Sequence, residues 1–229
     1  EKETVMGFMG DNAMLQELIT RSVNEVLGRE EASFAAINEL MAREVLKRYV
    51  LRILETDLAA APFTIVSIEE RYKFRLSFEN DGITREVDTG GNIDRVDIKE
   101  GTVRIVDYKT GTTSDGIEDI SDLFVEDRDK DIDAWLQTLL YCEAYLHSSP
   151  ESATRPSVYR LKLIPGTGVS DRLLIGEKEL EDYTIVRDEF LGHMRDMVSR
   201  IFSSNEPFTM TLKRQRKCGY CPFRVLCRR

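Results

Sequence analysis

Asp94, Asp107 and Lys109 are the residues whose types and spacing could do chemistry. They lie in GNIDRVDIKEGTVRIVDYKTG, residues 91–111, where two strand-like runs, Asn92–Ile98 and Thr102–Lys109, flank Glu100-Gly101. That pattern is a hairpin with a two-residue turn. In this register Asp94 faces Asp107, Val96 faces Ile105 and Ile98 faces Val103, all on one side of the hairpin. Arg95 with Val106, and Asp97 with Arg104, occupy the other side. Side chains alternate along a strand, so Lys109 points the same way as Asp107. Like charges directly opposed across strands destabilise a hairpin, and a divalent cation between Asp94 and Asp107 would offset that cost. Mg²⁺ (or Mn²⁺) fits, because it takes oxygen ligands and is commonly held by one or two carboxylates plus a substrate phosphate. The Tyr108 carbonyl is a candidate third oxygen. Such an ion would support phosphodiester hydrolysis, with Lys109 orienting or deprotonating water, or holding the scissile phosphate. The alternative is a surface Asp107–Lys109 ion pair with Asp94 exposed beside it.

The elements that must position these residues are legible as patterns. Residues 11–59 read as two helices with apolar stripes, Leu15 to Val26 and Ile37 to Leu54. Gly28 ends the first, Ser33 caps the second, and both are assigned to packing, with their acidic residues on solvated faces. From Pro62 the sequence turns β-rich. Strands are expected at Phe63–Ile68, Tyr72–Phe78 and Ile83–Val87, with Asn80-Asp81-Gly82 as a turn, giving a meander of four or five strands. Glu69, between the first two, is read as structural. Residues 112–131 are polar and aperiodic, a loop of the length used for lids or substrate guides. Ile132–His147 is a helix burying Trp135, Leu136, Leu139 and Leu140, with Cys142 as a small core residue. Gln137 and Tyr141 are four apart and share another face of it. A hairpin around Pro165-Gly166 and a long helix from Glu179 to Phe202 complete the pattern. His147 and His193 are read as incidental surface residues.

The chain has 229 residues, 41% hydrophobic and 32% charged, in the range of a soluble globular protein. No apolar run reaches the ~18 residues of a membrane span. The net charge of −9 argues against bulk attraction to nucleic acid but leaves room for a local basic groove. Residues 213–229 hold seven Lys or Arg and no acid. Three of the four cysteines, Cys218, Cys221 and Cys227, fall in this tail, as expected for metal ligation in a reducing, cytoplasmic compartment. Zinc is one metal those thiolates could take.

G91-x-I93-D94-R95-V96-D97, followed by D107-Y108-K109-T110-G111 and then Q137-x-x-x-Y141, resembles the PD-(D/E)xK nuclease superfamily. More narrowly, the order of motifs is similar to the RecB/AddB-type nucleases. C218-x2-C221-x5-C227 is similar to the cysteine cluster of AddB-type and CRISPR-adaptation nucleases. The resemblance implies a restriction-endonuclease-like α/β (α+β) fold, with a central mixed sheet flanked by helices and the site on its hairpin. Residues 1–60 would pack as a helical segment on a nuclease core at 61–205, and 206–229 would form a Cys-rich tail. It further implies metal ligation by Asp94 and Asp107, catalysis by Lys109, and support from Gln137 and Tyr141. The three cysteines would join a 4Fe-4S cluster, incomplete in this chain. The implied activity is Mg²⁺-dependent DNA cleavage, more exonuclease than endonuclease. DNA would be the substrate and a helicase subunit or domain the partner, with no membrane association. The family's usual upstream metal-binding His and fourth Cys have no counterpart. Because the chain begins Glu-Lys-Glu, both are expected in a segment preceding it. A free-standing CRISPR-adaptation nuclease and an inactive module that binds DNA or protein are the alternatives.

Overall fold

A computed structural model describes residues 2–28, 37–125, 131–150, 152–162, 171–203, 205, 207 and 218–227. In chain order the first elements are α1 (Lys2–Gly10), α2 (Asn12–Val26), α3 (Ile37–Ala60), β1 (Thr64–Asn80), β2 (Ile83–Lys99) and β3 (Thr102–Lys109). There follow β4 (Gly116–Ile117), α4 (Asp133–Ser148), β5 (Thr154–Arg160), β6 (Leu174–Ile175), β7 (Lys178–Glu179) and α5 (Arg187–Phe202).

Two tight turns build the sheet. Asp81-Gly82 (φ 52° and 74°) and Glu100-Gly101 (φ 52° and 84°) place both central residues in the left-handed region. A type I′ hairpin turn requires this, and its twist matches that of the strands it joins. β1, β2 and β3 therefore form an antiparallel meander, and β5 adds to β3 in parallel, for the order β1-β2-β3-β5. A parallel neighbour needs a crossover, and α4 supplies it. The result is a mixed sheet flanked by helices, consistent with the expected restriction-endonuclease-like fold. The main core lies between the sheet and α4 and α5. It holds Ile93, Val96 and Ile105 from the strands, Trp135 and Leu139 from α4, and Phe190 from α5. On the other face, Tyr49 and Ile53 of α3 pack against Val106, Tyr159 and Leu161. Among the described residues no helix is long and apolar enough to cross a membrane.

Several sequence expectations are corrected. The stretch expected as two strands before Asn80 is one 17-residue strand, β1, with Glu69 inside it at φ 53°. Ile83–Val87 and the hairpin strand are likewise one strand, β2. Of the polar stretch 112–131, residues 112–125 are anchored to the core. Ile117, Ile120 and Leu123 bury in the core through β4 and a 3₁₀ turn capped by Asp119, and the Trp135 indole donates to the Ser114 carbonyl at 2.8 Å. The last helix begins at Arg187 rather than Glu179. Lys178–Glu179 pairs as β7, and Asp182 caps a separate 3₁₀ turn at Tyr183–Ile185. Along the N-terminal stripes Leu15 and Ile19 are buried, but Val26, Leu40 and Val45 are exposed. Ser33 and the Pro165-Gly166 turn lie outside the described residues.

Candidate active site

The β2–β3 register is the one the turn demands, with Arg95 opposite Val106, Val96 opposite Ile105 and Asp97 opposite Arg104. The ladder ends at Arg95–Val106, one position short of Asp94 and Asp107. There the backbone pairing is replaced by a side chain: Asp94 Oδ2 accepts a hydrogen bond from the Tyr108 N–H at 2.8 Å. Asp94 therefore stays beside β3 after the strands part. In an extended strand the N–H and C=O of one residue point to the same edge, and neighbouring residues alternate. The Lys109 carbonyl accepts from Leu161 N–H on the β5 side, so the Tyr108 carbonyl faces the Asp94 side.

Lys109 connects the hairpin to α4. Its Nζ donates to Asp107 Oδ1 at 3.0 Å and to Gln137 Oε1 at 2.7 Å. Gln137 Nε2 in turn donates to the Tyr141 hydroxyl at 2.7 Å. The four-residue spacing of Gln137 and Tyr141 is what lets this relay run along one helix face. The structure thus brings Asp107, Lys109, Gln137 and Tyr141 into one hydrogen-bonded chain, with Asp94 at the adjoining strand position.

Asp107 is only 1% exposed. Burial raises its pKa most, the Lys109 ammonium pulls it back down, and the Asp94 carboxylate pushes it up again, leaving it above the usual aspartate range. Its Oδ2 lies 2.8 Å from the ammonium as an ion-pair contact but accepts no hydrogen bond. A buried carboxylate is costly unless a cation faces it, and here the Lys109 ammonium does. Together with the oxygens of Asp94 and Tyr108, Asp107 Oδ2 gives an all-oxygen donor set of the kind a hard divalent ion takes. The residues fit such an ion.

Gly91 is a site residue that the motif contained without showing its reason. A Cβ there would stand 3.0 Å from the Tyr141 ring and 3.1 Å from its hydroxyl, so glycine lets the tyrosine reach the sheet. Glu69 occupies the β1 position between the pairs Ile68–Arg95 and Glu70–Ile93, across from Asp94. Regular alternation breaks at this point. Ile93 and Val96, three apart and so expected on opposite faces, both bury in the main core.

Behind the site, the opposite face of the hairpin is also charged and buried. Arg95 grips Asp57 of α3 through two hydrogen bonds, at 2.8 and 2.9 Å, and Tyr159 donates to the same carboxylate. Arg104 grips Asp97 at 2.5 and 2.8 Å, and the Phe63 ring lies 5.1 Å from the Arg95 guanidinium and 5.0 Å from that of Arg104. Asp57 is therefore not a solvated-face residue. The pairing of Asp97 with Arg104 was visible in the hairpin register; the helix partner of Arg95 was not.

Cys142 is fully buried and its thiol is pushed well above the ordinary range by burial, in keeping with a core residue. His193 stacks on Phe124 and His147 on Phe74, and His147 Nε2 lies 3.5 Å from Glu143 Oε1. Cys218, Cys221 and Cys227 are free thiols on a 3₁₀ turn and the turns after it. Among the described residues no group of three or more His, Cys, Asp or Glu side chains converges to hold a metal.

With this geometry in place, comparison with known families is direct. The PD-(D/E)XK nuclease superfamily matches residues 8–228. The chain belongs to that superfamily. The match includes the N-terminal helices as well as the hairpin and α4, so the superfamily domain takes in every element that positions the site. Members are nucleases, and the nuclease fold implies DNA as substrate. No curated protein matches the chain as a relative.

Proposed function

We propose that this chain is a divalent-metal-dependent deoxyribonuclease whose centre is Asp94, Asp107 and Lys109. The observation that carries the reading is Lys109 Nζ, held between Asp107 and Gln137, at the edge where two carboxylates meet. Asp94, Asp107 and the Tyr108 carbonyl would hold Mg²⁺ or Mn²⁺. The chemistry such an ion supplies is neutralisation of phosphate charge and acidification of a water. Lys109, with 28% of its side chain exposed, keeps one face toward solvent, where its ammonium can meet a phosphate oxygen or the attacking water. Gln137 and Tyr141 are positioning residues: they fix the Lys109 rotamer from α4 and touch no reacting atom directly.

The finer assignment is to a RecB/AddB-like enzyme that processes DNA ends, exonucleolytic and working with a helicase subunit or domain. It is supported by the order GxIDRVD, DYKTG and QxxxY and by the relay that joins the last two motifs in space. A 4Fe-4S cluster on Cys218, Cys221 and Cys227 is the finer cofactor reading, supported by the C-x2-C-x5-C spacing. The test is cleavage of end-labelled single-stranded and duplex DNA, linear and circular, with Mg²⁺ or Mn²⁺. Degradation of linear DNA from its ends, sparing circles, is expected; equal cutting of circles would overturn the exonuclease assignment.

A further inference from the structure

β5 carries a second cation to the level of Lys109. Lys109 and Arg160 are partners in the parallel β3–β5 ladder, as are Asp107 and Val158. Neighbouring strands stand about 4.8 Å apart, and paired residues project from the same face. Val158 buries in the main core with Ile105, so Arg160, two residues on, shares the face of Asp107 and Lys109. The charged row at this edge runs from Asp94 on β2 through Asp107 and Lys109 on β3 to Arg160 on β5.

Arg160 is paired in a way that a phosphate can reverse. Its side chain is 3% exposed, whereas that of Asp115, with which it forms an ion pair, is 74% exposed. The guanidinium thus lies inside and the carboxylate outside. The Asp115 backbone is pinned: its carbonyl accepts from the Leu174 N–H at 3.2 Å, and Gly116 pairs with Leu174 in the β4–β6 ladder. Uncovering Arg160 therefore needs only a turn of the Asp115 side chain into water. The guanidinium fork accepts a phosphate in the same bidentate way as a carboxylate. Burial pulls the Arg160 pKa down and Asp171 only partly offsets it, while in Arg95 and Arg104 burial is outweighed by Asp57 and Asp97. An added anion would favour the charged form of Arg160.

We infer that Arg160 binds the DNA phosphate next to the one at Lys109, and that Asp115 holds its place until substrate arrives. This rests on the nuclease reading for the phosphate at Lys109, but its test does not depend on cleavage. Binding of the whole chain to a short fluorescent oligonucleotide is measured in EDTA at several salt concentrations. Arg160→Gln leaves Asp115 in water, so no buried charge is stranded. It should weaken binding on the order of 10-fold and flatten the slope of log K against log [salt] by about 0.7, the share of one single-strand phosphate contact. Asp115→Asn should tighten binding, and should lose that effect in the Arg160→Gln background. Glu118→Gln, which removes an exposed charge three residues away, should not tighten it. An unchanged slope in Arg160→Gln, or equal tightening by Asp115→Asn and Glu118→Gln, overturns the assignment. Where Arg160→Gln fails to fold, the comparison of Asp115→Asn with Glu118→Gln decides by itself. A parallel cleavage assay with Mn²⁺ separates the two ideas. A wild type that shows this binding pattern but cuts nothing removes the nuclease reading and leaves Arg160 as a phosphate contact. Cleavage by the wild type, with Arg160→Gln matching it in affinity and slope, removes Arg160 and leaves the nuclease reading.

Discussion

The two faces of the β2–β3 hairpin carry similar charges to opposite ends. Behind it, Asp57 and Asp97 meet Arg95 and Arg104 in two bidentate pairs, and aromatic rings cover both guanidinium groups. In front, Lys109 pairs with Asp107 and also serves Gln137, and Asp94 accepts from the Tyr108 N–H. The back face is neutral within itself; the front face is short of one positive charge. Burial pulls the Arg95 pKa down, but Asp57 outweighs it and the group ends above its ordinary value. Burial pushes Asp107 up, and Lys109 does not fully restore it. A balanced buried network holds a fold together, while an unbalanced one is a place where something else binds.

Breaking the back face should have the largest effect on stability. Arg104→Ala leaves Asp97 buried with the Arg95 guanidinium, 3.0 Å away, as its remaining cation, and should cost on the order of 3 kcal/mol in urea denaturation. The double change Asp97→Leu with Arg104→Met should recover most of that loss, because a buried pair can be replaced by apolar groups of similar size. A double variant as unstable as the single one would show that the network does more than balance itself.

The front face should respond in the opposite way. In the absence of metal at neutral pH, Asp107→Asn should raise Tm, since it removes a carboxylate whose ionised form the fold disfavours. The sign follows from the raised folded pKa. The stability contribution of Asp107 is fully present below its unfolded value of about 3.8 and is lost as pH rises through the higher folded value. Mg²⁺ or Mn²⁺ should stabilise the wild type by about 2.7 kcal/mol at a hundredfold excess over Kd, and Asp107→Asn hardly at all. Equal metal-induced shifts in both proteins would place the ion elsewhere.

Smaller effects test the relay. Gln137→Ala should lower kcat about 10- to 100-fold with little change in Tm, as expected for a group that orients another. Gly91→Ala should displace the Tyr141 ring and lower kcat by a smaller factor, read against an unchanged circular dichroism spectrum. If Gln137→Ala leaves kcat intact, the Lys109–Gln137 bond is structural only.

The front face was legible in the sequence because local rules decide it. Two I′ turns set the register, alternation set the faces, and helical spacing placed Gln137 beneath Tyr141. What could not be read depends on distant partners. Asp57 sits 38 residues from Arg95, and no local pattern says which helix turn will lie over that arginine. Ile117, Ile120 and Leu123 anchor their loop with no helical or strand period to announce it. Glu69 sits inside β1 with a left-handed backbone, a conformation uncommon for a glutamate and so not expected from composition.

The central claim is that the uncompensated carboxylates and Lys109 form a metal-dependent nuclease centre. The most direct measurement is cleavage of a labelled single-stranded oligonucleotide with Mn²⁺ by wild type, Asp107→Ala and Lys109→Ala, each checked for native fold. Wild-type cleavage that EDTA stops and that falls on the order of 10³-fold in each variant is the predicted result. Cleavage at the same rate in all three proteins, or insensitive to EDTA, would contradict it.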